Sequence, residues 1–152
     1  MSSLVQNKAW YRKNNKLFWF LFEVASKKGK RHDPRLVGSF SMIPLTKSAA
    51  QQVCREELAG SGFTAEHIAK PSRPLVAIYI GGVIAEGFFA KGEVLARLSE
   101  RIERLQEKEI PIFTRPVTDK GLSLVNKYDF EPTTEESGLK HIYRLGKPVN
   151  AA

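Results

Sequence analysis

Cysteine is nearly absent: Cys54 stands alone in 152 residues, so an internal disulfide framework is excluded and a thiolate metal cluster lacks a second sulfur. His32, His67 and His141 are scattered and share no ligand spacing with Cys54, so no metal site is expected. Long apolar runs are missing too. Leu17 to Phe22 and Leu75 to Ile80 are the longest, far short of the roughly 20 residues that a membrane-spanning helix needs. With no apolar leader, the expectation is a reducing cytoplasm and no membrane. There is no internal repeat and no low-complexity tract. What is present suits one globular domain with a real core: 42% hydrophobic and 26% charged residues. Acidic residues are outnumbered 16 to 24, leaving a net charge of +8 that favours anionic partners. Lys8, Arg12, Lys13 and Lys16 crowd the start, and Lys27, Lys28, Lys30, Arg31 and Arg35 crowd one turn. Such clusters are either solvated surface or a nucleic-acid contact, and neither interleaved aromatics nor a reading motif accompanies these.

The chain divides into a loose basic arm (1–15) anchored by Trp10 and Tyr11, a domain over 16–146 with a helical insert at 46–74, and a tail at 147–152. "KLFWFLFEVA" (16–25) predicts a strand buried on both faces. "RLVGSFSMIPL" (35–45) predicts its hairpin partner across a basic turn at Gly29. Thr46 predicts a helix cap, with Ala49, Ala50, Val53, Cys54 and Leu58 on one face and Gly60 and Gly62 at the end. Pro71 to Pro74 break any helix. "LVAIYIGGVIA" (75–85) is the best central strand, and Gly81 and Gly82 inside it mark a bulge or a close approach by another group.

A helix from about Lys91 to Glu109 turns Val94, Leu95, Leu98, Ile102 and Leu105 inward, with Glu93–Arg97 and Glu100–Arg104 pairs outside. "IPIFTRPV" (110–117) is a short strand, Thr118 caps a helix over 119–130, and "KHIYRL" (140–145) is a last strand. The sum is mixed α/β (α+β), one mixed central sheet flanked by helices.

"VIAEGFFAKGEVLARL" joins strand to helix through small residues and one lysine. A helix start leaves N–H groups unpaired beside a partial positive charge, so an anion gains hydrogen bonds there. The bland alternative is a tight connection that binds nothing. Phe88 and Phe89 are expected to pack beneath this loop, ahead of lying along a ligand or meeting another subunit. Glu86 is either an exposed strand-end carboxylate or a base, and Tyr79 is expected in the core.

From Leu17 onward the chain resembles the GNAT superfamily of acyl-CoA-dependent N-acetyltransferases. The match runs from "FEVASKKGKRHDPRLVGSFSMIPL" through "VAIYIGGVIAEG" and "GFFAKGEVLARL" to "PIFTRPVTDKGLSLVNKYDFEP" and "HIYRL". The resemblance implies a GNAT-like fold and acetyl-CoA or another acyl-CoA as cosubstrate, with no metal. Val83, Ile84 and Ala85 would line the pantetheine arm. Gly87, Phe88, Phe89, Ala90, Lys91, Gly92 and Glu93 would cradle the pyrophosphate. It also implies a catalytic role for Glu86 as base and for Tyr128 as a substitute acid.

The loop departs from the family's Q/R-x-x-G-x-G/A pattern, with Gly87 at the polar position and Ala90 at the first glycine. Val125 occupies the place of the usual acid tyrosine, Asp129 that of a glycine, and Thr118 that of an asparagine. The family's first strand and first two helices have no counterpart before Leu17, which implies that the insert or another chain, in a homodimer or larger complex, completes the acceptor site. Three functions follow: an N-acyltransferase acting on an amine (small molecule or protein), a silent acyl-CoA-binding or protein-interaction module, and a basic nucleic-acid-binding protein.

Overall fold

The computed structural model describes residues 4–24, 26–27, 30–31 and 33–149, the pairs 26–27 and 30–31 by backbone alone. The elements before the central strand are α1 (Leu4–Lys13), β1 (Phe18–Glu23), β2 (Ser26–Lys27), β3 (Lys30–Arg31), β4 (Arg35–Leu45) and α2 (Lys47–Cys54). Then come β5 (Ala77–Ala85), α3 (Gly87–Glu107), β6 (Ile112–Thr114), α4 (Asp119–Lys127), β7 (Glu131–Pro132) and β8 (Tyr143–Leu145). The fold is mixed α/β. Six strands form one sheet in the order β1-β4-β5-β6-β8-β7. Its one parallel pair is β5 with β6, joined through α3 as a parallel crossover requires.

The sheet is covered on both faces, which is why "LVAIYI" reads as an unbroken apolar run. Ile43, Leu45, Ala77, Tyr79 and Phe113 pack under Trp10 of α1 and Ala49, Ala50 and Val53 of α2. Phe40, Met42, Ile78, Ile80 and Ile112 pack under Val94, Leu98 and Ile102 of α3 and Val125 of α4. Alternate residues of β4 and β5 thus serve opposite layers. Each large side chain so buried contributes about 1.5–3 kcal/mol. Close approach of α3 depends on Gly38, where a Cβ would lie 2.6 Å from Val94 Cγ2.

Several expectations change. The arm is not loose: α1 docks on the insert, with Trp10 Nε1 donating to Phe63 O at 3.0 Å and Gln6 Nε2 to Ser61 O at 2.7 Å. Tyr11 is half-exposed, so of the two aromatics only Trp10 is buried. β1 stands at the edge of the sheet rather than buried on both faces, and Phe20 and Phe22 are half-exposed. The turn at Gly29, with Lys28 and His32, and the tail from 150 lie outside the described residues.

Thr46 caps α2, accepting from Ala49 N at 3.3 Å. That helix nonetheless ends at Cys54, because Glu56 takes a φ of +57° and turns its carboxylate to Ile142 N (2.8 Å). Thr118 caps α4 through Gly121 N at 3.1 Å. On α3, Leu95 is half-buried and Ala90 takes its place in the apolar face. Glu100 holds both Arg104 (2.6 Å) and Arg97 (3.3 Å), so the expected Glu93–Arg97 pair is replaced by an i,i+3 pair.

Candidate functional site

β5 is flanked on both sides only at its start. Ile78, Tyr79 and Ile80 pair with Ile112, Phe113 and Thr114, and Thr114 Oγ1 donates to Ile80 O at 3.1 Å. β6 ends there. From Gly81 to Ala85, β5 has β4 on one side and no strand on the other among the described residues.

Within this open stretch the register with β4 slips. Ser41 faces Gly81 but Ser39 faces Ile84, so β5 carries one additional residue. Gly82 absorbs it with a φ of +60°, which glycine adopts at little cost, and Ser41 Oγ donates to Gly81 O at 2.7 Å. The glycine pair in the sequence was the signal for this bulge. Beyond it, Glu86 N–H donates to Val37 O of β4 at 2.8 Å. Counting back by the period of two, the N–H and C=O groups of Val83 and Ala85 face the open side.

The chain enters α3 at once. Gly87 makes the turn with a φ of +82°, so the helix starts four residues earlier than expected. Of the four N–H groups a helix start leaves over, that of Glu86 is taken by Val37. Those of Gly87, Phe88 and Phe89 remain without an acceptor among the described residues. From Ala90 onward the amides enter the helix ladder. The expected cradle of seven residues therefore narrows to three donors, with Ala90 buried and Lys91, Gly92 and Glu93 exposed on the first turns. Lys91 follows Gly87 by four residues and shares its face. Phe88 and Phe89 do not pack beneath the turn. They are 87% and 88% exposed and lie edge to face with each other at 6.1 Å.

Glu86 sits at the strand end with Arg35 at 3.1 Å, and the same guanidinium reaches Glu23 at 3.2 Å. Sequence reasoning missed Arg35 as a site residue, because it stood in a basic cluster with nothing to mark it. Tyr128 closes α4, half-buried, with its hydroxyl hydrogen-bonded to Ser99 of α3. Ser99 lies twelve residues beyond Gly87, about 18 Å along the helix axis. The two groups assigned to one catalytic site are thus far apart.

Tyr79 is buried against Phe63, and its oxygen accepts from Gly60 N at 3.3 Å. Burial pushes its hydroxyl above the ordinary tyrosine range, with Gly60 and Arg115 pulling the other way. His67 Nδ1 accepts from Thr64 N at 2.9 Å, and His141 lies 3.3 Å from Glu56. Among the described residues no three His, Cys, Asp or Glu gather as a metal site, and no helix is long and apolar enough to cross a membrane. Comparison with protein-family models, curated proteins and solved structures returns no significant match to this chain.

Proposed function

We propose that the chain is a cytoplasmic, acyl-CoA-dependent N-acyltransferase of the GNAT type that transfers an acetyl group to an amine. One observation carries this reading: the open side of β5 leads straight into the three free amides of α3. An extended pantetheine arm pairs with Val83 and Ala85 as an added strand. The diphosphate takes the N–H groups of Gly87, Phe88 and Phe89 and the charge of Lys91. Further support comes from the order of elements, in which the β1–β4 pair, β5, α3, β6, α4 and β8 follow one another in the sequence that the resemblance implies.

In the transfer, the amine nitrogen attacks the thioester carbon, the C–S bond breaks, and the nitrogen's proton leaves to a base. Glu86 is the candidate base, directly or through a water. A thiolate is a good leaving group, so Tyr128's engagement with Ser99 lowers the rate without preventing reaction. The commitment of both polar groups, Glu86 to Arg35 and Tyr128 to Ser99, favours a second reading, a silent acyl-CoA-binding module.

Thermal denaturation with acetyl-CoA tests both. A ligand at a hundred times its Kd adds about 2.7 kcal/mol, and no shift at millimolar acetyl-CoA sinks both. Release of free thiol with a panel of polyamines, amino acids and peptides then separates enzyme from module.

A further inference from the structure

A concavity of about 750 Å³ opens between α3, β1 and the loop over 70–75. Its volume falls within the range of small-ligand sites. Its rim carries Lys16, Lys70, Arg73, Arg97, Arg101 and Arg104 against the single carboxylate of Glu100. That carboxylate is already shared by Arg97 and Arg104. Lys16, Lys70, Arg73 and Arg101 have no carboxylate partner among the described residues. Arg97, Arg101 and Arg104 follow one another at spacings of four and three on one face of α3, where like charges repel. These cations come from three separate parts of the chain.

The floor is apolar: Trp19, Met42, Leu75 and Ile78 line it, with the Trp19 ring stacked 5.0 Å from Phe40. The walls are tied together by Asn14, itself buried. Its Nδ2 donates to Ala69 O (3.3 Å), and its Oδ1 accepts from Lys16 N (3.0 Å). Arg97 lies ten residues along α3 from Gly87, about 15 Å, so this is not the helix mouth.

We infer that this cleft binds a nucleoside phosphate, its phosphates on the arginine stripe and its base against the floor that includes Trp19. Bare anions would leave the apolar floor unused, and an apolar ligand would leave the cations unpaired. Aromatic and arginine surfaces together hold bases and phosphates with little dependence on sequence. The ligand is either a free nucleotide or a nucleotide within single-stranded RNA.

Calorimetric titration of the full chain with ATP, with tripolyphosphate and with a short oligouridylate tests this. ATP or the oligonucleotide is expected to bind at least about tenfold more tightly than tripolyphosphate. ATP as the tighter ligand identifies a free nucleotide. The oligonucleotide as the tighter ligand, with affinity falling steeply with salt, identifies RNA. Arg73→Glu with Arg101→Glu, checked for an unchanged thermal midpoint, is expected to lower nucleotide affinity by about tenfold or more, whereas Lys91→Glu leaves it unchanged. Equal affinity for tripolyphosphate, no binding at millimolar nucleotide, or loss through Lys91→Glu but not through the arginine pair would each overturn the inference.

Discussion

Arg35 on β4 holds Glu86 at 3.1 Å, just where β5 gives way to α3, and its other amino group holds Glu23 of β1 at 3.2 Å. One guanidinium therefore ties the ends of three adjacent strands beside the proposed cofactor mouth. Both contacts are well exposed, so they orient more than they stabilise. In the proposed transferase, Glu86→Gln is expected to lower kcat/KM by about a hundredfold or more while leaving acetyl-CoA binding intact. Arg35→Ala should change unfolding free energy by less than about 1 kcal/mol. Steady-state kinetics with the amine found in the thiol-release panel, together with urea melts, would check both. An unaffected kcat/KM in Glu86→Gln would remove the carboxylate from the mechanism.

Gly38 is required by packing rather than by its backbone conformation. A methyl group there meets Val94 Cγ2 at 2.6 Å, and Val94 is a stiff β-branched residue fixed on the buried face of α3. Gly38→Ala should cost about 1–3 kcal/mol. The pair Gly38→Ala with Val94→Ala should lose less than the sum of the single changes. Urea unfolding of the four proteins measures the coupling, and simple additivity would mean that the helix shifts freely.

Asn14 joins two backbone groups that no other side chain reaches among the described residues, Lys16 N and Ala69 O. Asn14→Ala leaves the buried Ala69 O without that donor, whereas the Lys16 N–H is nearer solvent, an expected loss of about 1–3 kcal/mol that comes mainly from the first contact. Its thermal midpoint should fall accordingly, and an unchanged midpoint would show that water replaces the amide.

Tyr79 links pH to stability. Burial raises its folded value above the ordinary 10.0, while the unfolded chain titrates near that ordinary value. Below it both states are protonated and the tyrosine's contribution is fully present. As pH rises through and beyond it, the unfolded chain releases the proton first, so stability falls. The urea midpoint of the wild type should therefore drop between pH 9 and 11 more steeply than that of Tyr79→Phe. Parallel curves would argue against this linkage.

Phe88 and Phe89 are almost wholly exposed. The double change Phe88→Ser with Phe89→Ser should move the unfolding free energy by no more than about 0.5 kcal/mol. If the two rings meet a pantetheine arm, the acetyl-CoA thermal shift falls instead. A large loss of stability would show that the rings are packed after all.

Features governed by short-range chemistry were legible in the sequence alone. Thr46 and Thr118 cap their helices because a hydroxyl reaches an amide three residues away. The apolar spacing of Val94, Leu98, Ile102 and Leu105 announces the α3 face, and Gly81-Gly82 announces the bulge. Tertiary structure alone decided what depends on distant segments meeting. It inserted β8 between β6 and β7, and ended β6 early enough to leave β5 with an open side. It left Phe20 and Phe22 on an uncovered edge and drew Tyr128 to Ser99 rather than to Glu86. It also gathered Lys16, Arg73 and Arg101 around one cleft. Caps and periodicities act over a few residues and are written locally. Strand order, exposure and the convergence of charge depend on which layers pack, and a single chain's sequence does not state that outcome.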